Sequence, residues 1–285
     1  MVVRLTLKMH FNSTKSEHII QLLAILPYYY FGTKSKFVPK LSYLMLQPRI
    51  PILMYHSVLP STPSASSVTI EQLEQQLLYI KKQGYTTLFI DELENQHESF
   101  RKPIALTFDD AYLNNYHHLI PLLEKYQVKA TIMVPTGYLG QLAGWYKTDE
   151  KLMSIEELRR ISTSPHIRLG LHTHMHINLR HTPLELVKED LTTSIKLLTN
   201  NNIPFTPMLA YPFGAYPKKK DGKEKHQQFT LLLKTLGITH GLRIGNRLNK
   251  LPFANPYEIK RVDIKGTDTF FSFKIKLLVG YINPF

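Results

Sequence analysis

A regular alternation of short apolar runs and amphipathic segments, beginning near residue 51, is the feature that most constrains this fold. The apolar runs are typical of strands, and the segments between them place apolar residues at helical spacing. Strands that alternate with helices pair in parallel, with helices covering the sheet. The segments, in order, are PILMYHSV, TIEQLEQQLLYIKKQG, YTTLFI, PIALTF, NYHHLIPLLEKYQ, KATIMV, SIEELRRIS, HIRLGLH, TPLELVKEDLTTSIKLLTNN, PMLAYP, QQFTLLLKTLG, ITHGLRI and EIKRVDI.

Local signals mark the ends of two of these helices. Thr69 is a candidate N-cap for a helix that stops at Gly84, and Ser154 with Glu157 forms a capping-box pattern. About seven strand–helix units exceed what a small open sheet holds, so we predict an α/β fold, a closed and distorted (β/α) barrel of about seven parallel strands. The length of 285 residues and the 43% hydrophobic share suit one large domain.

Polar residues follow several of the predicted strands. In βα barrels, the residues that carry chemistry collect at the carboxyl ends of the strands. The residues at these positions are His56, Asp109 and Asp110, His172 with His176 just beyond it, and Tyr211, Pro212 and Gly214.

Two adjacent carboxylates, Asp109 and Asp110, directly follow the run PIALTF. Like charges side by side hinder each other's ionisation unless a cation or a proton separates their roles. The chain has no cysteine, so a metal would need histidine and carboxylate ligands. In a helical turn, His172 and His176 would share a face and bind one cation with Asp110, while His174 turns away. Alternatively, one aspartate is the N-cap of the following helix and the other is its neighbour. This alternative explains the presence of one carboxylate but not of the second.

Three motifs together resemble those of the polysaccharide deacetylases, the NodB-homology family. TFDDAY resembles the first motif, HTHMH resembles the second, H-[S/T]-x-x-H, and AYPFG resembles the third. With the strand–helix rhythm, the resemblance covers roughly residues 50–265. It implies a distorted βα barrel in which Asp109 is the base. It further implies that Asp110, His172 and His176 hold a divalent metal, for which Zn²⁺ is expected.

The segment LMYHSV resembles the opening of the biofilm poly-N-acetylglucosamine deacetylases, in which the general-acid histidine precedes the Asp-Asp motif. The resemblance implies that His56 donates a proton to the leaving amine. A strand-end histidine without a catalytic role is the alternative, and His240 in ITHGL is a second candidate for the acid.

The chain departs from the family pattern at three places. Ala111 replaces a common glycine, and Leu171 replaces a frequent serine. Ala210 and Tyr211 occupy the stretch of the third motif that commonly carries an arginine to brace the base. Bracing must therefore come from elsewhere, or the strength of the base suffers.

Further residues are candidates for substrate binding. A backbone N–H near Tyr112 would stabilise an oxyanion, and Tyr211, Pro212, Phe213 and Gly214 would shape a groove wall. Trp145, the only tryptophan, would line the groove or else serve as a packing residue.

The resemblance implies a metal-dependent hydrolase that removes N-acetyl groups from a sugar polymer or oligosaccharide. Two alternatives remain open. The first is a carbohydrate-binding pseudoenzyme, suggested by the missing arginine and the altered motif residues. The second is a metal-dependent amidohydrolase that acts on a small non-sugar amide.

Positive charge is concentrated at the two ends of the chain. The net charge is +13; residues 1–50 carry seven Lys/Arg against one Glu, and residues 216–285 carry fourteen against five acids. No basic and aromatic interleaving accompanies this charge, so no nucleic-acid partner is expected. A solvated surface, or peripheral contact of the basic termini with an anionic membrane, accounts for it.

We divide the chain into a basic and apolar extension (1–49), a catalytic domain (50–266) and a basic aromatic tail (267–285). The apolar run 19–31 has 13 residues, fewer than the ~20 that span a bilayer, although it makes the extension a candidate for membrane association. No small-residue cleavage site follows the run. A cytoplasmic or membrane-peripheral location is therefore favoured slightly over export or attachment to the cell envelope.

Overall fold

The structure is a computed structural model that describes residues 49–96, 99–146 and 149–280. Residues 1–48 of the predicted extension 1–49, with its apolar run 19–31, and the last residues 281–285 lie outside the described residues. Residues 48–285 form one compact unit. Among the helices that the structure describes, none has both the length and the apolar character needed to cross a membrane.

The described residues contain ten strands, and seven of them run parallel and close into a barrel. The strands in chain order are β1 (Ile52–Tyr55), β2 (Ser57–Leu59), β3 (Ser67–Thr69), β4 (Thr86–Thr87), β5 (Pro103–Phe108), β6 (Ala130–Val134), β7 (Ile167–Leu171), β8 (Met208–Ala210), β9 (His240–Ile244) and β10 (Ile259–Asp263). The order around the barrel is β1-β10-β9-β8-β7-β6-β5, and pairing of β1 with β5 closes it. β4 adds to the side of β5, and β2 pairs with β3 in a separate sheet. The predicted distorted barrel is confirmed.

Seven α-helices of the described residues flank the barrel, and all of them except α2 and α7 lie at positions that the sequence predicts. They are α1 (Ile70–Lys82), α2 (Ile90–Gln96), α3 (Ile120–Tyr126), α4 (Ile155–Ile161), α5 (Leu184–Asn200), α6 (Lys223–Thr235) and α7 (Phe270–Val279), and a π-helical turn (Asn115–Leu119) leads into α3. Both predicted N-caps are present: Thr69 caps α1, and Ser154 caps α4 through a capping box with Glu157. Gly84 adopts the left-handed φ of 73° just beyond α1, as its predicted role as a stop requires.

Two local predictions were wrong. The run YTTLFI gives only the short β4, because the following acidic residues start a helix: Asp91 and Glu92 lie in the first turn of α2, and Glu92 accepts the N–H of Phe89. The HTHMH segment is a loop rather than a helical turn. Thr173 and His176 both have left-handed φ values, of 65° and 50°, which no α-helix accommodates.

The core has an inner and an outer layer. Ile52, Ala105 and Ile259 belong to the inner cluster, whereas their strand neighbours such as Leu53 and Leu106 pack in the cluster that includes the surrounding helices. This alternation follows the two-residue period of a strand. The period also turns Asp109 inward, because it lies four residues after Ala105.

The segment that we separated as a tail belongs to the folded unit. Residues 270–279 form α7, and Phe273 and Leu277 are buried in the outer cluster. The predicted boundary after residue 266 is therefore corrected: the compact unit continues through the last helix.

Candidate active site

The polar residues predicted at strand ends converge at the carboxyl end of the barrel. His56, Asp109, Asp110, His172 and His176 all line one pocket of about 300 Å³. They come from three strand ends and a loop, and the parallel topology carries every strand's carboxyl end to the same rim. The barrel therefore assembles what the sequence predicted as one constellation.

Asp110, His172 and His176 present a set of ligand atoms. The Asp110 Oδ1 atom lies 3.4 Å from Nε2 of each histidine, and the three ligand atoms all lie within 4.8 Å of one another. A zinc ion with ligands at ~2.0–2.1 Å and tetrahedral angles separates its ligand atoms by roughly 3.3–3.4 Å. All three residues are buried, and they are the one such group found in the described part of the chain. The residues fit a small divalent cation.

The orientation of His172 also suits a ligand. Its Nδ1 donates to the carbonyl of Ala210 at 2.8 Å, which leaves the lone pair of Nε2 facing Asp110. Asp110 Oδ1 is buried and has no hydrogen-bond donor among the described residues, as expected of an oxygen that a cation would satisfy. Burial opposes ionisation of this carboxyl, but the two histidines hold the pKa of Asp110 well below its usual range.

Asp109 is held by an arginine that the sequence analysis did not identify. Arg261 donates from Nη1 and Nη2 to the two carboxylate oxygens of Asp109, at 2.5 and 2.7 Å. Both side chains are buried, and Arg261 also donates to Thr107. Burial works to raise the pKa of Asp109, but Arg261 and then His172 outweigh it and lower the pKa. Asp109 is therefore an ionised carboxylate beside the ligand set.

The sequence contained a signal for Arg261. Inward positions of β10 recur at every second residue, so Ile259, Arg261 and Asp263 share the inner face. A buried arginine near the end of a barrel strand must face a carboxylate, since an unpaired charge there is costly. The bracing that the third motif lacks at Ala210 and Tyr211 is thus supplied by β10.

His56 lines the same pocket as the Asp/His/His set. Its backbone carbonyl accepts from Asn115 at 2.8 Å, so the π-helical turn holds the end of β1. Its Nδ1 is buried without a hydrogen-bond partner among the described residues. Asp263 lies within electrostatic range of His56, and burial raises the pKa of Asp263 although His56 opposes that shift.

His240 is excluded as the alternative acid. It is the first residue of β9, and its Nε2 contacts Glu94 at 3.1 Å. The first residue of a strand lies at the amino end of the barrel, which is the end away from the pocket.

Aromatic side chains form the wall beside His176. The ring of Trp145 stacks on His176 with centroids 4.1 Å apart, and Phe213 meets the same imidazole edge-on at 4.7 Å. Phe213 is 58% exposed. Its backbone φ of 58° is rare for a residue other than glycine. The Tyr112 hydroxyl is within 2.5 Å of the Tyr146 hydroxyl at the pocket edge. Trp145 therefore lines the pocket and also packs against a ligand residue.

The third-motif residues contribute unequally to the pocket. The hydroxyl of Tyr211 donates to the carbonyl of Tyr257 at 2.8 Å, so only its ring faces the pocket. Gly214 lines the pocket with a left-handed φ of 63°, and a Cβ there would meet Ile244 at 3.0 Å. Pro212 is buried and lies outside the lining found for the described residues. The predicted groove wall is thus formed by Phe213, Gly214 and the ring of Tyr211.

The structure is thus a closed parallel barrel with a buried Asp/His/His set at its carboxyl end, and this set could hold a divalent cation. The family model described as polysaccharide deacetylase matches residues 97–231. Residues 97–231 thus match the family that the three motifs predicted. The matched span includes both aspartates and both candidate ligand histidines, whereas His56 and Arg261 lie outside it.

Two relatives carry names that agree with this match. The chain is 30% identical over 172 residues to "Putative polysaccharide deacetylase YxkH" of Bacillus subtilis (strain 168). The aligned residues cover 59% of this chain and 58% of that protein. It is 26% identical over 226 residues to a poly-beta-1,6-N-acetyl-D-glucosamine N-deacetylase of Staphylococcus aureus (strain MRSA252), covering 75% of this chain and 73% of that one. The chain thus spans less than two thirds of the first of these relatives.

Two solved structures share the fold. The Streptococcus pyogenes deacetylase PplD in complex with acetate superposes with a TM-score of 0.66 at 20% identity, covering 81% of this chain and 99% of that one. IcaB from Ammonifex degensii superposes with a TM-score of 0.63 at 22% identity, covering 80% of this chain and 95% of that one.

Proposed function

We propose that this chain is a metal-dependent carbohydrate deacetylase that hydrolyses the N-acetyl group of a sugar polymer or oligosaccharide. One observation carries the proposal: the ligand atoms of Asp110, His172 and His176 cluster directly beside an Asp109 that Arg261 keeps ionised. The arrangement separates the roles of the two adjacent carboxylates, one as a ligand and one as a base.

The chain's own residues provide the acid–base steps. Asp109 accepts a proton from the attacking water, and the bond from the water oxygen to the acetyl carbon forms as that proton leaves. The backbone N–H of Tyr112 donates to the oxygen on which charge develops. His56, protonated, gives its proton to the departing nitrogen as the carbon–nitrogen bond breaks, which releases acetate and an amino sugar.

The residues that would hold the metal are Asp110, His172 and His176, and zinc is the ion that we expect. When bound, such an ion supplies Lewis-acid polarisation and lowers the pKa of a water molecule. His172 is kept in the required orientation by its hydrogen bond to Ala210.

The substrate class is supported by the pocket and by one relative. Trp145 and Phe213 offer apolar faces on which a sugar ring can lie, next to the ligand set. The Staphylococcus aureus relative is named for the deacetylation of poly-beta-1,6-N-acetyl-D-glucosamine. We therefore propose an N-acetylglucosamine polymer as the substrate. The pseudoenzyme alternative was motivated by the missing third-motif arginine and by the altered motif residues, and the contact of Arg261 with Asp109 argues against the first of these motives.

Acetate release from N-acetylglucosamine oligomers, measured together with metal content, tests the proposal. We expect Asp109→Asn to lose at least about a thousandfold in kcat, because removal of the base affects every turnover while the ligands stay in place. Its zinc content should remain that of the wild type. His172→Ala should lose both bound zinc and activity.

A panel of small non-sugar amides separates the remaining alternative. Turnover of those amides without turnover of the oligomers would favour the small-amide hydrolase. Asp109→Asn protein that kept near-normal rates on the oligomers would contradict the assignment of the base.

A further inference from the structure

Within the loop that carries His176, the N–H of Ile177 donates to the hydroxyl of Thr173 at 3.2 Å. His172 is fixed at the end of β7 and by Ala210, but the Nδ1 of His176 has no hydrogen-bond partner among the described residues. The Trp145 and Phe213 rings contact the second imidazole, and its position otherwise depends on the backbone between the two histidines. That backbone is irregular, since Thr173 and His176 both adopt left-handed φ values of 65° and 50°. Residues other than glycine rarely adopt this conformation without outside support.

Asp190 supplies such support from helix α5. One carboxylate oxygen accepts the N–H of His174 at 2.6 Å, and the other accepts the N–H of Met175 at 2.8 Å. These are two consecutive amides lying between the candidate metal ligands. The Asp190 side chain is only 8% exposed, so the hydrogen bonds are shielded from water.

A second contact from the same helix face restrains the start of the loop. Ser194, four residues after Asp190, lies with its hydroxyl 3.5 Å from the carbonyl of Thr173 and accepts from Thr136 at 3.1 Å. On the other side, Gly137 donates its N–H to the carbonyl of His174 at 2.8 Å. The loop thus forms hydrogen bonds with α5 on one side and with the turn after β6 on the other. Asp190 is the charged residue among these partners.

We propose that Asp190 is a positioning residue, which sets the spacing of the His172 and His176 imidazoles by binding the two amides between them. The proposal rests on the metal site of the proposed function. It assigns a role to a carboxylate that touches neither the metal ligands' side chains nor the pocket. Partners that orient metal ligands typically contribute about 10- to 100-fold to metal affinity, and we expect a loss of that size when Asp190 is changed.

Asp190→Asn in the full-length protein is the direct test. The amide keeps one acceptor but places an NH₂ group opposite a backbone N–H, so one of the two hydrogen bonds is lost and two donors face each other. Glu189→Gln is the matched control, because it removes the same charge from the neighbouring, exposed residue of α5. Zinc affinity is measured by competition with a chromophoric chelator, and the visible spectrum of Co²⁺-loaded protein reports ligand geometry. Thermal unfolding of the metal-free proteins reports the fold.

We expect Asp190→Asn to bind zinc about 10- to 100-fold more weakly and to show an altered cobalt spectrum. Glu189→Gln should match the wild type in both measurements. An Asp190→Asn protein with wild-type zinc affinity and an unchanged spectrum overturns the positioning role and leaves the proposed function standing. A wild-type protein that binds neither Zn²⁺ nor Co²⁺ overturns both. If Asp190→Asn does not fold, Asp190→Glu decides: its extra methylene displaces both acceptors, so weaker zinc binding supports the role and wild-type affinity overturns it.

Discussion

At the scale of single residues, the contact between Arg261 and Asp109 gives the two adjacent aspartates different partners. Two adjacent aspartates in a buried pocket would otherwise share a proton. The guanidinium binds Asp109 through both oxygens, and the imidazoles of His172 and His176 face Asp110. Each carboxylate thus has its own nitrogen-bearing partners, and Asp109, whose pKa is lowered, is the residue that we propose as the base.

Removing the arginine should shift the pH dependence of the reaction. Burial raises the pKa of Asp109 and Arg261 opposes it, so in Arg261→Met the pKa of Asp109 rises. The base must be ionised to act, and the acidic limb of the kcat/KM profile should therefore move to higher pH. A pH–rate series with N-acetylglucosamine oligomers measures the shift.

Lys260→Met is the control for that experiment, because it removes a charge from the adjacent residue of β10 whose side chain points away from the inner face. Its acidic limb should stay at the wild-type pH. Loss of a buried partner should also cost Arg261→Met roughly 3–5 kcal/mol of unfolding free energy at a pH where Asp109 is ionised. An unmoved acidic limb in Arg261→Met would show that Asp109 is not the group whose ionisation limits the rate.

At the scale of elements, helix α7 shows that the end of the chain belongs to the barrel. Thr269 caps the helix by accepting from the N–H of Ser272, and Phe273 and Leu277 enter the outer core cluster. Tyr79 of α1 meets Phe273 edge-on with ring centroids 6.3 Å apart. The helix is therefore a structural element of the domain.

Two phenylalanines in α7 provide a matched pair for testing this packing. Phe273 is fully buried, so Phe273→Ala should lower the unfolding free energy by about 3–5 kcal/mol. Phe271 is 44% exposed, and Phe271→Ala should stay within roughly 0.5 kcal/mol of the wild type. Urea denaturation of both variants measures the difference. Equal stabilities for the two would mean that α7 does not pack on the core.

At the scale of the whole molecule, the described core and the candidate site lie within residues 48–285. The barrel is closed by pairing of β1 with β5, and the first residues of this unit already contribute, since Ile50 pairs with Asn249 and is buried. We therefore expect residues 48–285 to fold and to bind metal without residues 1–47.

Deletion of residues 1–47 tests this expectation. The shortened protein should unfold in one cooperative transition and bind one zinc ion per chain, because the residues of the core and the ligand set are all retained. Thermal unfolding and metal analysis are the measurements. A second deletion that also removes residues 48–55 is the control: it takes away β1 and opens the barrel, and it should abolish the cooperative transition. A shortened 48–285 protein that is unfolded or free of metal would show that the unit depends on residues before Pro48.

The sequence predicted most of the elements, because strands and helices of this barrel bury their faces with regular periods. It predicted that the strand continues after Thr87, because the run is β-branched and aromatic. The acidic residues that follow instead favour the start of helix α2. It also assigned a helical turn to HTHMH, because spacing alone cannot show that Asp190, rather than the preceding turn, binds the amides of His174 and Met175.

The sequence by itself determined the parallel barrel, and the strand ends at which Asp109, Asp110, His56 and His172 emerge, since these depend on local periodicity and on the common direction of parallel strands. Only the tertiary structure decided that Arg261 braces Asp109, because the two residues are 152 positions apart and meet only when β10 and β5 flank β1 in the closed barrel. The same holds for the shape of the histidine loop. Its irregular backbone carries no repeating pattern, and a side chain from another element holds it in place.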